Sequence, residues 1–393
     1  MSEGTGSGSG YFRLPTGKVA LGALLLTGIL VFAFQDRGLA EVDLGVVDSE
    51  AAKFRLEVMA EDLEIAWAMD FLPGGRAIFS ERDAGSLSII NLETKAVTRL
   101  TGLPKLVSGV TRGMLDVLVH PDFATNGWVY FSYSYGTAKR STLVVDRAQI
   151  QGSKLVNRER LFEALPWYHE DNHYGDRLAL KDGYLFITMG ERYDLKEKAQ
   201  DLGTHLGKIL RIHEDGRVPE DNPFKDVAGA LPEVWSYGHR NPQGMTLHPT
   251  TGELWEHEHG PQGGDEINII RPGKNYGWPV ITYGEEYGGG PIGEGITEKP
   301  GMEQPLYYYV PSIAPSGMSF YTGDKFPGWK GNLFIGAMAL THLNRLVLKD
   351  GKVVHEERLL DDRDWRVRFV TEGPEGFLYI GIDDGMILRL RPE

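Results

Sequence analysis

Short apolar segments rich in Tyr, Phe, Val and Ile recur along the chain beyond residue 50, and helical periodicity is scarce there. Gly, Pro and Asp separate these segments, and each favours a tight turn for its own conformational reason. Segments of this length and composition are typical of β-strands. The pattern therefore predicts a body that is nearly all β.

A strand, a turn and an aromatic-rich strand recur six times in this body. The predicted hairpins start in the segments 66–72, 115–122, 177–181, 244–249, 317–320 and 368–376. Further strands follow the hairpins, as at Ser86–Ile90 and Ile209–Ile212. Six sheets of about four strands predict an all-β, six-bladed β-propeller, in which Phe54–Val58 and Met386–Leu390 pair within the blade that closes the ring. A solenoid or a β-sandwich is the competing fold.

The first 40 residues follow a different pattern. A Gly/Ser-rich start, expected to be disordered, and two basic residues precede the uncharged apolar run Val19–Phe34, which is the order of a secretory signal. This run has 16 residues, fewer than the ~20 that span a bilayer, and Gly38–Ala40 supplies small residues for cleavage. We expect residues 1–40 to be a signal peptide or an uncleaved membrane anchor. Residues 41–393 are then a propeller domain in the periplasm or outside the cell.

Composition excludes several classes of function. The formal net charge is −14 and Lys and Arg are not clustered, which argues against nucleic acid as a partner. The 50 glycines among 393 residues agree with many tight turns. The chain contains no cysteine, so disulfides, thiolate metal sites and a cysteine nucleophile are excluded.

Two positions suggest catalysis or binding. His173 stands at the entry of a predicted blade, and histidine is the natural general base for an alcohol proton because its pKa lies near neutrality. A lone histidine has a structural hydrogen-bonding role more often. Arg240 lies in a Gly/Pro-rich segment, 236–244, which favours ligand binding over a surface salt bridge.

Two residue pairs show strand spacing. Arg366 and Arg368 alternate on one predicted strand and so point to the same face, as a clamp on a carboxylated ligand requires, unless this is an exposed edge strand. His257 and His259 share a face in the same way, which raises a zinc site as an alternative. No third ligand is evident, and a histidine beside Gly-Pro more simply shapes the loop.

These segments, with 112–116, 172–178 and 274–279, resemble the family of pyrroloquinoline-quinone (PQQ)-dependent soluble glucose dehydrogenases and aldose sugar dehydrogenases. The resemblance runs from Trp67 to the C-terminus. It implies oxidation of the anomeric hydroxyl of an aldose to a lactone, with hydride transfer to PQQ and electrons passed to an external acceptor. A homodimer is a further option in that family.

The resemblance also implies roles for individual residues. His173 matches the base that takes the sugar proton, Glu191 the carboxylate that orients this base, and Arg240 the arginine placed over the quinone. A solvated loop carboxylate is the alternative for Glu191. The remaining implied cofactor contacts are Asn241, Gln243, Arg366 and Arg368.

Calcium is the metal that the resemblance implies, because a hard cation bound by oxygens can bridge PQQ and raise its electrophilicity. The carbonyls of Gly260 and Pro261 are assigned to this ion. Glu266 and the carbonyl of Tyr276 are assigned to a second, structural ion.

The sequence departs from the family at two positions. A family lysine that lies against the quinone is replaced by Ala339, and a glutamine near the cofactor appears as Thr111. Loss of one cationic contact would weaken PQQ binding roughly ten- to hundredfold unless His342 or Arg345 compensates.

Two other functions remain alternatives at this point. A calcium-dependent lactonase-type propeller would need a central cluster of Asn, Asp and Glu around one ion. A non-catalytic binding propeller that has lost PQQ would agree with Ala339. If the chain is a dehydrogenase, we expect the loops between Glu285 and Gln304 and around Trp167–Asp171 to select the substrate.

Overall fold

The computed structural model describes residues 44–109 and 111–393, which belong to one compact unit. The predicted signal or anchor segment, residues 1–40, lies outside these ranges. Within them, no helix is both long and apolar enough to cross a membrane.

The described ranges contain 25 β-strands, one α-helical turn and two 3-10 helices. The strands are β1 Val46–Asp48, β2 Lys53–Ala60, β3 Ala66–Leu72, β4 Arg76–Glu81, β5 Ser86–Asn91, β6 Val97–Arg99, β7 Met114–Val119, β8 Trp128–Thr137, β9 Arg140–Gln151, β10 Lys154–Glu163, β11 Leu178–Lys181, β12 Tyr184–Met189, β13 Lys208–His213, β14 Val234–Tyr237, β15 Pro242–Leu247, β16 Leu254–Glu258, β17 Asp265–Ile270, β18 Tyr307–Tyr309, β19 Pro315–Phe320, β20 Leu333–Ala337, β21 His342–Lys349, β22 Lys352–Leu359, β23 Val367–Glu372, β24 Leu378–Ile382 and β25 Met386–Pro392. The helical turns are α1 Phe123–Asn126 and the 3-10 segments Lys196–Gln200 and Pro327–Trp329.

Six antiparallel sheets form the blades. Five blades each use four consecutive strands, β3–β6, β7–β10, β11–β14, β15–β18 and β19–β22. The sixth joins both ends of the described chain in the order β1-β2-β25-β24-β23. The prediction of an all-β, six-bladed β-propeller is confirmed, and all six predicted hairpins coincide with the first two strands of a blade.

Ring closure rests on the antiparallel pairing of β2 with β25. Leu56 lies opposite Leu390 and Val58 opposite Leu388, within the two segments that were predicted to pair. At the start of β2, the buried ring of Phe54 packs edge-on against Trp329, with ring centroids 5.4 Å apart. This contact joins the closing strand to the loop between β19 and β20.

The first strand of each blade, β3, β7, β11, β15, β19 or β23, lines a central cavity of about 190 Å³. We call the side on which these six strands begin the upper face. The loops that lead into the first strand of each blade meet there with the loops that follow the second strand. Residues from distant parts of the sequence therefore come together at the upper face, beside the axis of the ring.

Candidate active site

His173 and Glu191 form a hydrogen-bonded pair on the upper face. His173 precedes β11 and Glu191 follows β12, so the two ends of one hairpin bring them together. His173 Nδ1 lies 2.9 Å from Glu191 Oε2, and the Glu191 side chain is buried. Gly190 makes this approach possible, because a Cβ atom there would lie 2.4 Å from the His173 carbonyl oxygen. The structure thus excludes a solvated loop carboxylate at Glu191.

The charge state of this pair is set by its surroundings. Burial raises the pKa of Glu191, but its interaction with His173 and the charge of Arg240 outweigh burial and hold the pKa below its usual value. Burial lowers the pKa of His173, and Arg240 and Arg192 add to this against the opposing effect of Glu191. An ionised carboxylate only accepts hydrogen bonds. Near neutral pH, His173 is therefore uncharged, with its proton on Nδ1 and a lone pair on Nε2.

Arg240 is a buried cation held in a fixed position. Its Nη1 donates to the carbonyl oxygens of His259 and Gly260, at 3.0 and 2.8 Å. The guanidinium carbon lies 5.3 Å from the centre of the Trp278 ring, within cation–π range. Its Nε is buried without a hydrogen-bond partner among the described residues. A buried donor of this kind favours a ligand that accepts from it.

Asn241 and Gln243 lie at the same place but bind the protein backbone. Asn241 Oδ1 accepts from the Gly175 backbone N–H at 3.2 Å, and Gln243 Nε2 donates to the Gly175 carbonyl at 3.1 Å. Both side chains are buried. They fix the turn that carries His173, whose φ of 52° lies in the left-handed region.

Arg366 and Arg368 bind one carboxylate, Asp383, in the loop after β24. Arg368 Nε and Nη2 contact the two Asp383 oxygens at 2.8 and 2.6 Å, while Arg366 Nε contacts Oδ2 at 3.0 Å. The Arg366 side chain is 50% exposed and that of Arg368 only 6%. Both guanidinium groups reach Asp383, but Arg366 precedes β23, which begins at Val367, so the prediction that the two arginines alternate on one strand is wrong. Arg366 presents the more accessible cation.

Arg366 reaches the segment in which the family lysine is missing. Arg366 Nη1 donates to the Met338 carbonyl at 3.1 Å, next to the exposed Ala339. His342 and Arg345, the two residues that could replace the lysine contact, are both engaged within the protein. His342 binds the Leu340 carbonyl, and Arg345 is bound to Glu357.

Thr111, at the second departure, has its Oγ1 buried without a hydrogen-bond partner within the described ranges. A buried hydroxyl in this state favours a ligand that can bond to it.

Three of the four residues assigned to calcium line a small cleft beside Arg240. Gly260 and Glu266 line this cleft together with Tyr276 and Glu258. Pro261 follows Gly260 in the same loop. The Gly260 carbonyl oxygen accepts a hydrogen bond from Arg240, which places it toward the arginine.

Glu266 belongs to a group of three buried glutamates, with Glu256 and Glu258. Asn268 Nδ2 lies 3.3 Å from Glu256 and 3.4 Å from Glu266. Burial and the repulsion of neighbouring carboxylates raise the pKa values of Glu256 and Glu266 well above the ordinary value. Glu256 Oε1 and Asn268 Oδ1 have no hydrogen-bond partner among the described residues. Oxygen atoms in this state suit a hard cation.

His257 and His259 connect two blades. Their Nε2 atoms lie 3.2 Å from the Gly317 carbonyl and 2.7 Å from the Pro315 carbonyl, both in β19. The imidazole of His257 also fills the space where a Cβ of Gly244 would be, 2.1 Å from Nε2. These contacts favour the loop-shaping interpretation over the zinc alternative.

A family model for glucose / sorbosone dehydrogenase matches residues 63–389. The chain belongs to the glucose/sorbosone dehydrogenase family. The predicted family and the prediction of a sugar oxidoreductase are thereby confirmed, in preference to a lactonase or a non-catalytic propeller.

Relatives of this dehydrogenase include aldose sugar dehydrogenase YliI of Escherichia coli, 39% identical over 348 residues, which are 87% of this chain and 94% of that protein. The solved apo-form of the soluble aldose sugar dehydrogenase from E. coli has a TM-score of 0.82 and 38% identity, covering 86% of this chain and 100% of that one. The PQQ-bound form of aldose sugar dehydrogenase from Streptomyces coelicolor has a TM-score of 0.71 and 27% identity, covering 87% and 99%.

Sequence reasoning did not identify several residues that the dehydrogenase brings to the site. Asp383 orients both clamp arginines, and its Asp-Asp-Gly turn carried no sign of that partnership. Trp67 lies beneath the Arg368 guanidinium, 4.6 Å from it. Tyr193 contacts His173 with its ring, at a centroid distance of 5.3 Å. The position of Tyr193 two residues after Glu191 was the signal that could have found it.

Proposed function

We propose that the protein oxidises the anomeric hydroxyl of an aldose to a lactone with PQQ as cofactor and passes the electrons to an external acceptor. The observation that carries this proposal is the His173–Glu191 pair, held 2.9 Å apart in a buried setting under the positive charge of Arg240. Family membership supports the substrate class. The PQQ-bound relative supports the cofactor.

The residues present fit PQQ, which is a tricarboxylate and a quinone. Arg240 offers a buried Nε–H without a partner, and Arg366 offers a half-exposed guanidinium. Arg368, which Asp383 orients by hydrogen bonding, adds a second positive charge beside Arg366. Guanidinium groups match carboxylates in shape as well as in charge. Asn241 and Gln243 act in this proposal as positioning residues for the His173 turn.

When bound, PQQ supplies a two-electron acceptor for the hydride that leaves the sugar carbon. His173 Nε2 takes the hydroxyl proton, because Glu191 keeps the proton of the neutral imidazole on Nδ1. After the transfer, the carboxylate stabilises the imidazolium. Arg240 provides a fixed positive charge where negative charge develops, and its two carbonyl partners prevent it from turning away.

Calcium is proposed for the cleft that Gly260, Glu266 and Tyr276 line. The support is the group of three buried glutamates, whose mutual repulsion a divalent cation would relieve. Carboxylate and amide oxygens in this group lack hydrogen-bond partners within the described residues. The carbonyls of Gly260 and Pro261 would bind a calcium ion that raises the electrophilicity of PQQ, and Glu266 with the Tyr276 carbonyl would bind a second, structural calcium ion.

The test is a titration of the apoprotein with PQQ in Ca²⁺, followed by dye reduction with a panel of aldoses. We expect saturable PQQ binding and aldose-dependent dye reduction in the wild type. His173→Ala should retain PQQ binding and lose about a hundredfold or more in turnover, because general-base catalysis contributes on this scale. His355→Ala, which alters an exposed histidine paired with Glu50, is the matched control. Wild-type turnover in His173→Ala would contradict the assignment of His173 as the general base.

We also propose that the propeller works outside the cytoplasm, delivered by residues 1–40. The support is the order of basic residues, apolar run and small residues in the sequence. Fractionation of cells that express the full chain would test this. Recovery of the full-length protein only from the cytosol would contradict it.

A further inference from the structure

Two large aromatic side chains beside the site remain accessible to solvent. Tyr193 is 45% exposed and Tyr287 is 58% exposed. Tyr193 contacts His173, and Tyr287 OH lies 3.5 Å from Arg240 Nη2. The proposed base, His173, and the proposed charge-stabilising residue, Arg240, therefore each have one exposed tyrosine beside them.

Tyr193 is held in a strained conformation. Its φ is 64° and that of Arg192 is 66°, both in the left-handed region that non-glycine residues rarely adopt. The Tyr193 backbone N–H donates to Glu191 Oε2, the same oxygen that contacts His173. Strain of this kind persists where the surroundings over-determine it, and it concentrates at functional sites.

Arg192 is the anchor that maintains this conformation. It is buried, donates to the Asn172 carbonyl at 3.1 Å and to the Ser141 carbonyl at 3.3 Å, and lies 3.9 Å from the centre of the Tyr174 ring. With Arg192 pointing inward, the next side chain, Tyr193, points outward beside His173. The exposure of Tyr193 is thus built into the turn.

Tyr287 lies on a different loop that is tied to the first one. Its neighbour Glu286 accepts from Lys196 Nζ at 2.8 Å, and Lys196 begins the 3-10 helix that follows Tyr193. The Glu286 backbone N–H also donates to the Gly290 carbonyl at 3.1 Å, which closes the loop behind Tyr287. The ion pair is partly exposed and contributes little free energy, so it connects the two loops only weakly.

We propose that Tyr193 and Tyr287 form two walls of the sugar-binding cleft above His173 and Arg240 and determine affinity for pyranoses. The inference rests on the proposed function and assigns residues to its substrate. A pyranose ring presents an apolar C–H face that packs on aromatic rings, while its hydroxyls bond to polar groups at the rim. Another exposed aromatic, Tyr308, is engaged differently, since its ring stacks on Tyr283 at 3.8 Å.

The experiment compares Tyr193→Ala, Tyr287→Ala and Tyr287→Phe in the PQQ- and Ca²⁺-loaded protein. We expect each alanine variant to raise KM for aldoses about tenfold, from loss of one aromatic contact. For Tyr287→Ala, kcat and PQQ affinity should stay within about twofold of wild type, whereas Tyr287→Phe should retain most of the affinity. Tyr308→Ala, a matched exposed tyrosine, should leave KM unchanged. Unchanged KM in both alanine variants, or a KM increase matched by an equal loss of PQQ affinity, would overturn the inference.

Direct binding of D-glucose, measured by saturation-transfer NMR, separates this inference from the proposed function. If the wild type binds D-glucose and both alanine variants bind it about tenfold more weakly, the cleft is supported even if dye reduction fails. In that case only the proposed reaction would be refuted. A wild type that binds and oxidises D-glucose, with both alanine variants binding it equally well, would refute the cleft and leave the proposed function standing.

Discussion

Arg366 and Arg368 bind the same carboxylate, Asp383, although one side chain is half exposed and the other is almost fully buried. Because the two arginines differ in burial, removal of Asp383 and removal of Arg366 should affect stability differently. Asp383→Ala leaves the Arg368 charge buried without its partner, and we expect the free energy of unfolding to fall by about 3 kcal/mol. Denaturant unfolding of the apoprotein measures this.

Arg366→Ala should lower PQQ affinity and leave the free energy of unfolding nearly unchanged. Because this side chain is half exposed, its loss should change the free energy of unfolding by less than about 1 kcal/mol. PQQ affinity should fall about tenfold or more, from loss of a charge-assisted contact. Arg217→Ala, at an exposed arginine paired with Asp215, is the control. An unchanged PQQ affinity in Arg366→Ala would contradict its role in cofactor binding.

The pH profile should report the lowered pKa of His173. Only the neutral imidazole can take the substrate proton, so the acid limb of kcat/KM should fall at a pH below the ordinary histidine value of 6.5. Glu191 raises the pKa of His173, and Glu191→Gln should therefore move this limb to still lower pH. The maximal rate should fall about tenfold because the tautomer is less well fixed. A limb that moves to higher pH in Glu191→Gln would contradict the assignment.

Calcium should stabilise the propeller through the group of three glutamates. At a free concentration one hundred times its Kd, an ion bound only to the folded state adds about 2.7 kcal/mol. Thermal unfolding should therefore shift upward in Ca²⁺ relative to chelator. Glu266→Gln should reduce this shift, whereas Glu93→Gln, at an exposed turn, should retain it. An equal shift in both variants would place the ion elsewhere.

Closure of the ring predicts a large effect at Phe54. Its ring is fully buried and packs against Trp329, so Phe54→Ala should lower the free energy of unfolding by about 3–5 kcal/mol. Val354→Ala, at a side chain 56% exposed, should change it by less than about 0.5 kcal/mol. Equal effects of the two substitutions would show that the closing strand contributes little to stability.

Much of the fold was predictable because local pattern decides it. The alternation of apolar strands with Gly, Pro and Asp turns is a property of each hairpin, and it placed all six blades. The pairing of Phe54–Val58 with Met386–Leu390 could be predicted as well, because a blade must bury both faces and a closed ring leaves only these partners.

The site was predictable only in part. His173, Glu191, Arg240 and the arginine pair carried chemistry in their residue types and matched a family pattern. Asn241 and Gln243, whose contact with the cofactor stays a prediction, also bind the backbone of Gly175, because the turn that holds His173 needs partners for its buried amide and carbonyl groups. Nothing in their spacing indicated that requirement.

The sequence alone determined the strand pattern, the turns and the set of reactive side chains, since these depend on neighbours along the chain. Tertiary structure alone decided that Asp383 joins Arg366 to Arg368 and that Arg366 reaches Met338. It also decided that Tyr193 contacts His173 and that Tyr287 lies near Arg240. The physical reason is the propeller itself. Its upper face gathers loops far apart in sequence, and the distances between their side chains exist only after the ring has closed.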